Sequence, residues 1–162
     1  LAIYRRLARK NPDVFEADMA MTLVNRAYLH GITQCYAQAQ EEYAEALAIY
    51  RRLKQQRPDA FEAATARILN NLANLHHATR RYAQAEAGYE EGLAICRRWV
   101  RKNPDVFEPS MVMMLNNLAL LHGNTQRYAQ AEKEYEEALA ICRRSAQKKF
   151  RRFLIGRGDD IV

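Results

Sequence analysis

The sequence lacks the features that define several classes of protein. It has no apolar run close to the 18 residues that a membrane-spanning helix needs, and it does not open with a signal-peptide pattern. A glycine-rich phosphate loop, an H-E-x-x-H zinc motif and a nucleophile elbow are also missing. These absences predict a protein that is not an enzyme and that holds no cofactor and no metal.

Cysteine and glycine are scarce as well. The three cysteines, Cys35, Cys96 and Cys142, are odd in number and have no metal-site spacing, so we expect free thiols and a cytoplasmic protein. Six glycines and four prolines leave few places for tight turns, whereas the abundant Ala, Leu, Glu, Arg and Gln favour helix. The sequence begins at Leu1 within a predicted helix, which indicates a piece of a longer protein.

Internal repetition dominates what is present. The stretch Leu115–Ile141, LNNLALLHGNTQRYAQAEKEYEEALAI, returns 46 residues earlier as Leu69–Ile95 and again as Leu23–Ile49. Self-similarity at a fixed period is the sequence signature of stacked repeats, which usually form binding surfaces.

Each copy contains two amphipathic helical patterns, here called helix A and helix B. In the second copy, helix A is predicted from about Ala63 to Thr79 and helix B from about Tyr82 to Lys102. The short link between them predicts an antiparallel hairpin. Between one B helix and the next A helix lies a Pro-Asp pair, which we expect to be a tight connector. Pro109 predicts that helix A of the third copy starts there.

The residues shared by the copies carry a family resemblance. Small residues recur at Ala27, Ala73, Ala119, Ala39, Ala85, Ala131, Ala46, Gly92 and Ala138, and aromatic residues at Tyr36, Tyr82, Tyr128, Tyr43, Tyr89 and Tyr135. This pattern resembles the tetratricopeptide repeat, in its long-period, kinesin-light-chain-like variety. The resemblance implies an all-α, right-handed α-solenoid of antiparallel helix-turn-helix repeats, with the A helices along a concave groove.

The expected organisation is a single repeat domain over residues 1–162. It divides into a partial helix of a preceding repeat (1–10), repeat 1 (16–55), repeat 2 (62–102), repeat 3 (108–145) and a C-terminal cap or tail (146–162). Within the tail, helix B is predicted to continue to about Ile155 and to stop at Gly156. The tail is interpreted as a cap of the stack or as a helix that binds a partner or a membrane surface.

The resemblance implies a scaffold or adaptor that binds an extended peptide in the groove. The candidate groove residues lie opposite the packed stripe of helix A: Asn25, Tyr28, Arg67, Asn70, Asn71, Asn74, His77, Met113, Asn116, Asn117 and Leu120. Asn25, Asn71 and Asn117 recur at one position, and a carboxamide can pair with a peptide backbone; alternatively these amides bond within the scaffold. Because only Arg67 is basic, a clamp for a C-terminal carboxylate is not expected.

Two other functions remain as alternatives. The stacked B helices end in arginine pairs, and with the net charge of +6 this basic ridge predicts an acidic partner or, less readily, nucleic acid. The same arginines also complement the helix dipole, which needs no partner. Exposed repeat ends predict self-association into an array.

Several polar residues are expected to serve the scaffold. The recurring histidines His30, His76 and His122 are predicted to be half-buried and to donate to a carbonyl group. The glutamate pairs of the B helices, such as Glu41-Glu42, are predicted to lie on a solvated face. Arg26 replaces a leucine of the other copies, so its stem is expected to pack or its position to be exposed.

Overall fold

A computed structural model describes the backbone of residues 2–156, and side chains within that range except those of residues 2, 9, 13, 58, 59 and 152–156. This part of the chain contains seven helices and no strand. The helices are α1 (Ala2–Lys10), α2 (Pro12–Ile32), α3 (Tyr36–Gln56), α4 (Pro58–Ala78), α5 (Tyr82–Trp99), α6 (Pro104–Asn124) and α7 (Tyr128–Gly156).

The even-numbered helices are the A helices, and the odd-numbered ones are the B helices. Each A helix packs antiparallel on the B helix that follows it, and each B helix packs on the next A helix. α7 continues to Gly156, so the predicted long terminal helix is confirmed. The predicted tail otherwise extends beyond the described residues.

The turn from helix A to helix B is the same in all three hairpins. The turn residues Gln34, Arg80 and Gln126 have left-handed φ values of 61°, 59° and 61°. In each turn the following residue donates its backbone N–H to the carbonyl group of the recurring histidine, as in Arg127 N to His122 O at 2.8 Å. This is a Schellman motif, which satisfies the last carbonyl groups of helix A and reverses the chain.

The predicted starts of the A helices are wrong. α4 begins at Pro58 and α6 at Pro104, about one turn earlier than expected, because proline suits the first helical position, where no backbone N–H is needed. Pro109 therefore lies inside α6. It is exposed, so water can reach the backbone around its ring.

The stack is tighter on the side of the A helices. Neighbouring A helices approach each other directly, whereas successive B helices do not within the described residues. Long side chains bridge the B helices instead: Arg51 pairs with Glu91 at 2.5 Å and Arg97 with Glu137 at 2.9 Å. A stack compressed on one side curves toward it, so the A helices line the concave face.

Small residues allow the helices to cross closely. Ala27, Ala73 and Ala119 are fully buried in the A helices. A Cβ atom added to Gly88 would lie 3.0 Å from Cβ of Ala73, so these backbones have almost no room for larger groups. A phenylalanine follows each Pro-Asp pair and packs in the seam between repeats: Phe61 contacts Tyr50 with ring centroids 5.7 Å apart.

Candidate functional site

The exposed positions of the A helices form the candidate groove. Seven of the predicted residues are exposed in the structure: Asn25, Tyr28, Arg67, Asn74, Met113, Asn116 and Leu120. Asn71, His77 and Asn117 are half-buried. The apolar members protrude considerably, since Tyr28 is 61% exposed and Leu120 is 50% exposed.

Asn70 is the exception, and its prediction as a groove residue is wrong. Its side chain is 1% exposed, and its Oδ1 accepts a 2.9 Å hydrogen bond from Asn117 Nδ2 of the next repeat. The equivalent residue of the first copy, Val24, is also buried. The position faces the following A helix, and Asn116 is exposed in the third copy because no A helix follows α6 among the described residues.

The asparagine position that recurs in every copy is partly used by the scaffold. Asn71 Oδ1 lies 3.5 Å from Asn70 Nδ2, and Asn71 hydrogen-bonds Tyr43. Burial raises the pKa of Tyr43 to about 12, an effect that neighbouring Tyr28 adds to and the Asn71 hydrogen bond opposes. The two interpretations of this position, a bond within the scaffold and a contact to a peptide backbone, therefore both have support. Asn71 and Asn117 bond within the stack, whereas Asn25 is exposed.

Two further candidate groove residues, Asn74 and His77, also have hydrogen-bond partners within the stack. Tyr89 donates its hydroxyl to Asn74 Oδ1 at 2.5 Å, which leaves the Asn74 amino group available to a ligand. Burial raises the pKa of Tyr89, so the hydroxyl stays protonated. Asn124 Nδ2 lies 2.9 Å from His77 Nε2. Burial lowers the pKa of His77, consistent with a neutral ring that accepts from this amide.

A cavity of about 200 Å³ opens between α2, α3 and α4. Its lining combines three tyrosine rings and aliphatic side chains with two asparagines: Tyr28, Gly31, Ile32, Tyr36, Tyr43, Asn71, Asn74, Leu75 and Ala78. No lining side chain carries a charge at neutral pH. Ile32, Tyr36 and Tyr43 are not among the predicted groove residues, because the pattern of a single helix does not show that they meet at one cavity.

The basic ridge is largely neutralised by glutamates. Arg51 and Arg97 pair with Glu91 and Glu137 of the next B helix, and Arg98 contacts Glu62 at 2.6 Å. Glu62 is 2% exposed and also accepts from Lys54 at 3.2 Å. Arginines committed to carboxylates offer less to an acidic partner or a nucleic acid.

A network of polar side chains also fills the seam between repeats 2 and 3. His122 is 3% exposed, with Nδ1 2.8 Å from Glu134 Oε2 and Nε2 3.1 Å from Glu86 Oε1. Arg127 donates to both oxygens of Glu86, at 2.8 and 2.9 Å. The predicted carbonyl partner of this histidine is wrong, since two carboxylates take its place.

The seam of the first repeat has a similar arrangement. Glu42 is 6% exposed, so the prediction of a solvated face is wrong for this residue. It pairs with Arg26 at 2.5 Å, and His30 Nδ1 lies 3.3 Å from its other oxygen. The anomalous Arg26 is therefore a paired charge, and its side chain remains 40% exposed.

Neither metal-binding nor membrane-spanning geometry is found in the described part of the chain. No three His, Cys, Asp or Glu side chains within it are arranged to hold a metal ion. None of its helices combines the length and hydropathy of a membrane span.

These features define the class: an all-α solenoid of helical hairpins. Tetratricopeptide-repeat family models match residues 18–98 and 112–148. The crystal structure of BtubC (BKLC) from P. vanneervenii is similar, with 27% identity and a TM-score of 0.67, over 88% of this chain and 53% of that one. The chain thus spans about half the length of BtubC (53%). A search of curated proteins finds no match. The chain belongs to the tetratricopeptide-repeat family.

Proposed function

We propose that this chain is a non-catalytic scaffold module that binds an extended peptide along its concave face. Repeats of this family generally mediate protein–protein interaction and scaffolding. The observation that carries the proposal is the uncharged cavity between repeats 1 and 2, with aromatic walls beside exposed carboxamides.

The cavity suits one apolar anchor side chain of the peptide. Water occupies about 30 Å³ per molecule in the liquid, so about 200 Å³ has room for an aliphatic or aromatic side chain. Tyr28 and Ile32, which are both 61% exposed, stand at its opening and lose most of their hydration when the anchor enters. Concave apolar sites with a few polar groups are typical of binding pockets.

Carboxamides along the A helices would pair with the peptide backbone. Asn25, Asn74 and Asn116 are exposed and can both donate and accept. Asn71 and Asn117 share their amides with the scaffold, so their contribution would be smaller. Met113 and Leu120 provide apolar contacts further along the same face.

The charge of the groove favours a neutral peptide segment. Arg67 is the one charged residue among the candidate groove side chains. A carboxylate clamp or a polyanion site needs several cations, which this face does not supply.

We also place the protein in the cytoplasm, because Cys35, Cys96 and Cys142 are all free.

Selection of binding peptides from a random displayed library tests the proposal. The intact chain serves as bait, and a selected peptide is titrated by fluorescence anisotropy. Tyr28→Ala and Ile32→Glu should each weaken binding about tenfold or more, since a buried anchor contact is lost. Tyr128→Ala is the matched control, because Tyr128 is 68% exposed and lies on α7, away from the cavity. Its affinity should change less than about twofold. Equal affinities for all variants, with unchanged helical circular dichroism, would contradict the proposal.

A further inference from the structure

The seam between repeats 1 and 2 differs from the seam between repeats 2 and 3 at one position of helix A. Gly31 lines the cavity of the first seam, and its equivalent in the next repeat is His77. Outside its own helix, a Cβ atom added to Gly31 would have no atom of the described residues within 4 Å. The glycine therefore leaves open a space that a larger side chain can enter.

His77 fills the corresponding space in the second seam. The centroid of its ring lies 5.8 Å from that of Tyr82, with the two ring planes 59° apart. Its Nε2 atom lies 2.9 Å from Nδ2 of Asn124. Tyr82 is the first residue of α5 and Asn124 is the last residue of α6. The imidazole ring of α4 therefore lies between the two helices that follow it.

The two partners of the His77 ring correspond to residues that line the open cavity. Tyr82 is the equivalent of Tyr36, and Asn124 is the equivalent of Ala78. Tyr36 and Ala78 both line the cavity of the first seam. A ring of the chain itself thus occupies, in the second seam, the place that stays open in the first.

The ring that fills the second seam indicates what fits the first. Two aromatic rings attract each other when the positive edge of one meets the negative face of the other, as tilted pairs allow. Tyr36 provides the same kind of ring as Tyr82 does, and Tyr28 and Tyr43 add two more to the lining. Burial lowers the pKa of His77, so the ring in the second seam is neutral. A charged side chain would lose its hydration in this lining without gaining an opposite charge.

We propose that the cavity accepts an uncharged aromatic side chain of the bound peptide, in the place that His77 fills one repeat later. Gly31 opens the site and His77 closes its second copy, so these two residues determine the seam at which the peptide is anchored. The inference rests on the proposed peptide binding, to which it adds the chemistry of the anchor and its register along the stack.

Exchange of glycine for histidine tests the role of Gly31. Gly31→His should weaken the binding of a selected peptide about tenfold or more, because the new ring takes the place of the anchor. Gly123→His is the matched control, since Gly123 is the equivalent residue of repeat 3, is equally open and does not line the cavity. Its affinity should change less than about twofold. Equal affinities of both variants would overturn the inference, whereas the proposed function would stand if Tyr28→Ala still weakened binding.

Substitution within the selected peptides tests the chemistry of the anchor. Leucine in place of each aromatic residue of a peptide should lower the affinity about tenfold at one position, and Gly31→His should abolish that difference. Peptides anchored by an aliphatic side chain would overturn the aromatic assignment and leave the proposed function in place. A library that yields no binding peptide would overturn the proposed function and this inference together.

A small aromatic probe tests the site without a peptide. p-Cresol, which reproduces the side chain of tyrosine, is titrated into the isotope-labelled chain and followed by heteronuclear NMR. In the wild type, saturable shifts should appear at the side-chain amide of Asn71, which lines the cavity. Gly31→His should abolish these shifts. His77→Gly should add shifts at the side-chain amide of Asn124, because removal of the ring opens the second seam. The same response in all three proteins, or none in any, would overturn the inference.

Discussion

Asn117 donates its side-chain amide to the buried Oδ1 of Asn70, across 2.9 Å and one residue more than a full repeat of sequence. The bond joins α6 to α4 on the side where neighbouring A helices meet. It ties a residue expected to contact a ligand to one that no ligand can reach. Groove and scaffold therefore share polar side chains in this protein.

Asn117→Ala should destabilise the fold by about 1–3 kcal/mol, because it leaves the buried Asn70 oxygen without a donor. Asn116→Ala, on the exposed neighbouring position of the same helix, should stay within about 0.5 kcal/mol. Urea denaturation followed by circular dichroism measures both. Equal effects of the two changes would indicate that the Asn117–Asn70 bond contributes little. The same experiment shows whether the recurring asparagines can be altered to probe ligand binding without disturbing the fold.

Glu86→Gln should change the dependence of stability on pH. The hydrogen bond from Arg127 holds the pKa of Glu86 below its ordinary value of 4.5. A lowered pKa means that the ionised group stabilises the fold above the unfolded-state value, and that this stability is lost as pH falls through the folded-state value. The free energy of unfolding of the wild type should thus exceed that of the variant by about 1–3 kcal/mol at neutral pH. The difference should shrink progressively below about pH 5.

Urea denaturation at several pH values measures this difference. Burial is the main cause that raises the pKa of Glu134, which acts in the opposite direction and is common to both proteins. The charge of Glu86 adds a smaller part to this rise, and the variant removes that part. The first repeat provides a natural reference, because Gln40 accepts a 2.6 Å hydrogen bond from Arg81 at the equivalent position. A stability difference that stays constant from neutral to acid pH would show that the charge of Glu86 is unimportant.

Pro109→Ala should stabilise the protein by about 1–3 kcal/mol, since proline inside a helix removes a backbone hydrogen bond and crowds the preceding turn. Alanine occupies the equivalent positions, Ala17 and Ala63. Pro104→Ala is the control. Proline at the first helical turn restricts the conformations of the unfolded chain, so its removal should lower the free energy of unfolding by about 0.4–1 kcal/mol. Thermal unfolding of the two variants should therefore shift in opposite directions. A lower melting temperature for Pro109→Ala would mean that the proline ring makes stabilising contacts in the folded protein.

Much of the architecture could be predicted from the sequence because local pattern determines it. Apolar periodicity identified the hairpins, and the recurring alanines identified the close helix crossings. The A helices start earlier than the sequence predicts, because Pro58 and Pro104 fit a connector and the first helical turn equally well.

The environments of the polar side chains were harder to predict, since they depend on neighbouring helices. Glu42 looks like a surface residue of an amphipathic helix, but Arg26 and His30 of the preceding helix surround it. The cavity has the same origin: Tyr28, Tyr43 and Asn71 come from three different helices, and no one helix predicts their meeting.

The local pattern alone makes this protein a stack of helical hairpins, because a 46-residue repeat with helical periodicity has to bury its apolar faces against its own copies. The accessibility of the polar side chains, in contrast, depends on how the helices pack in three dimensions. Val24, Asn70 and Asn116 occupy one position of the repeat, yet the first two are buried and the third is exposed. The difference arises because α4 follows Val24 and α6 follows Asn70, whereas among the described residues no A helix follows α6. That environment lies outside the local sequence.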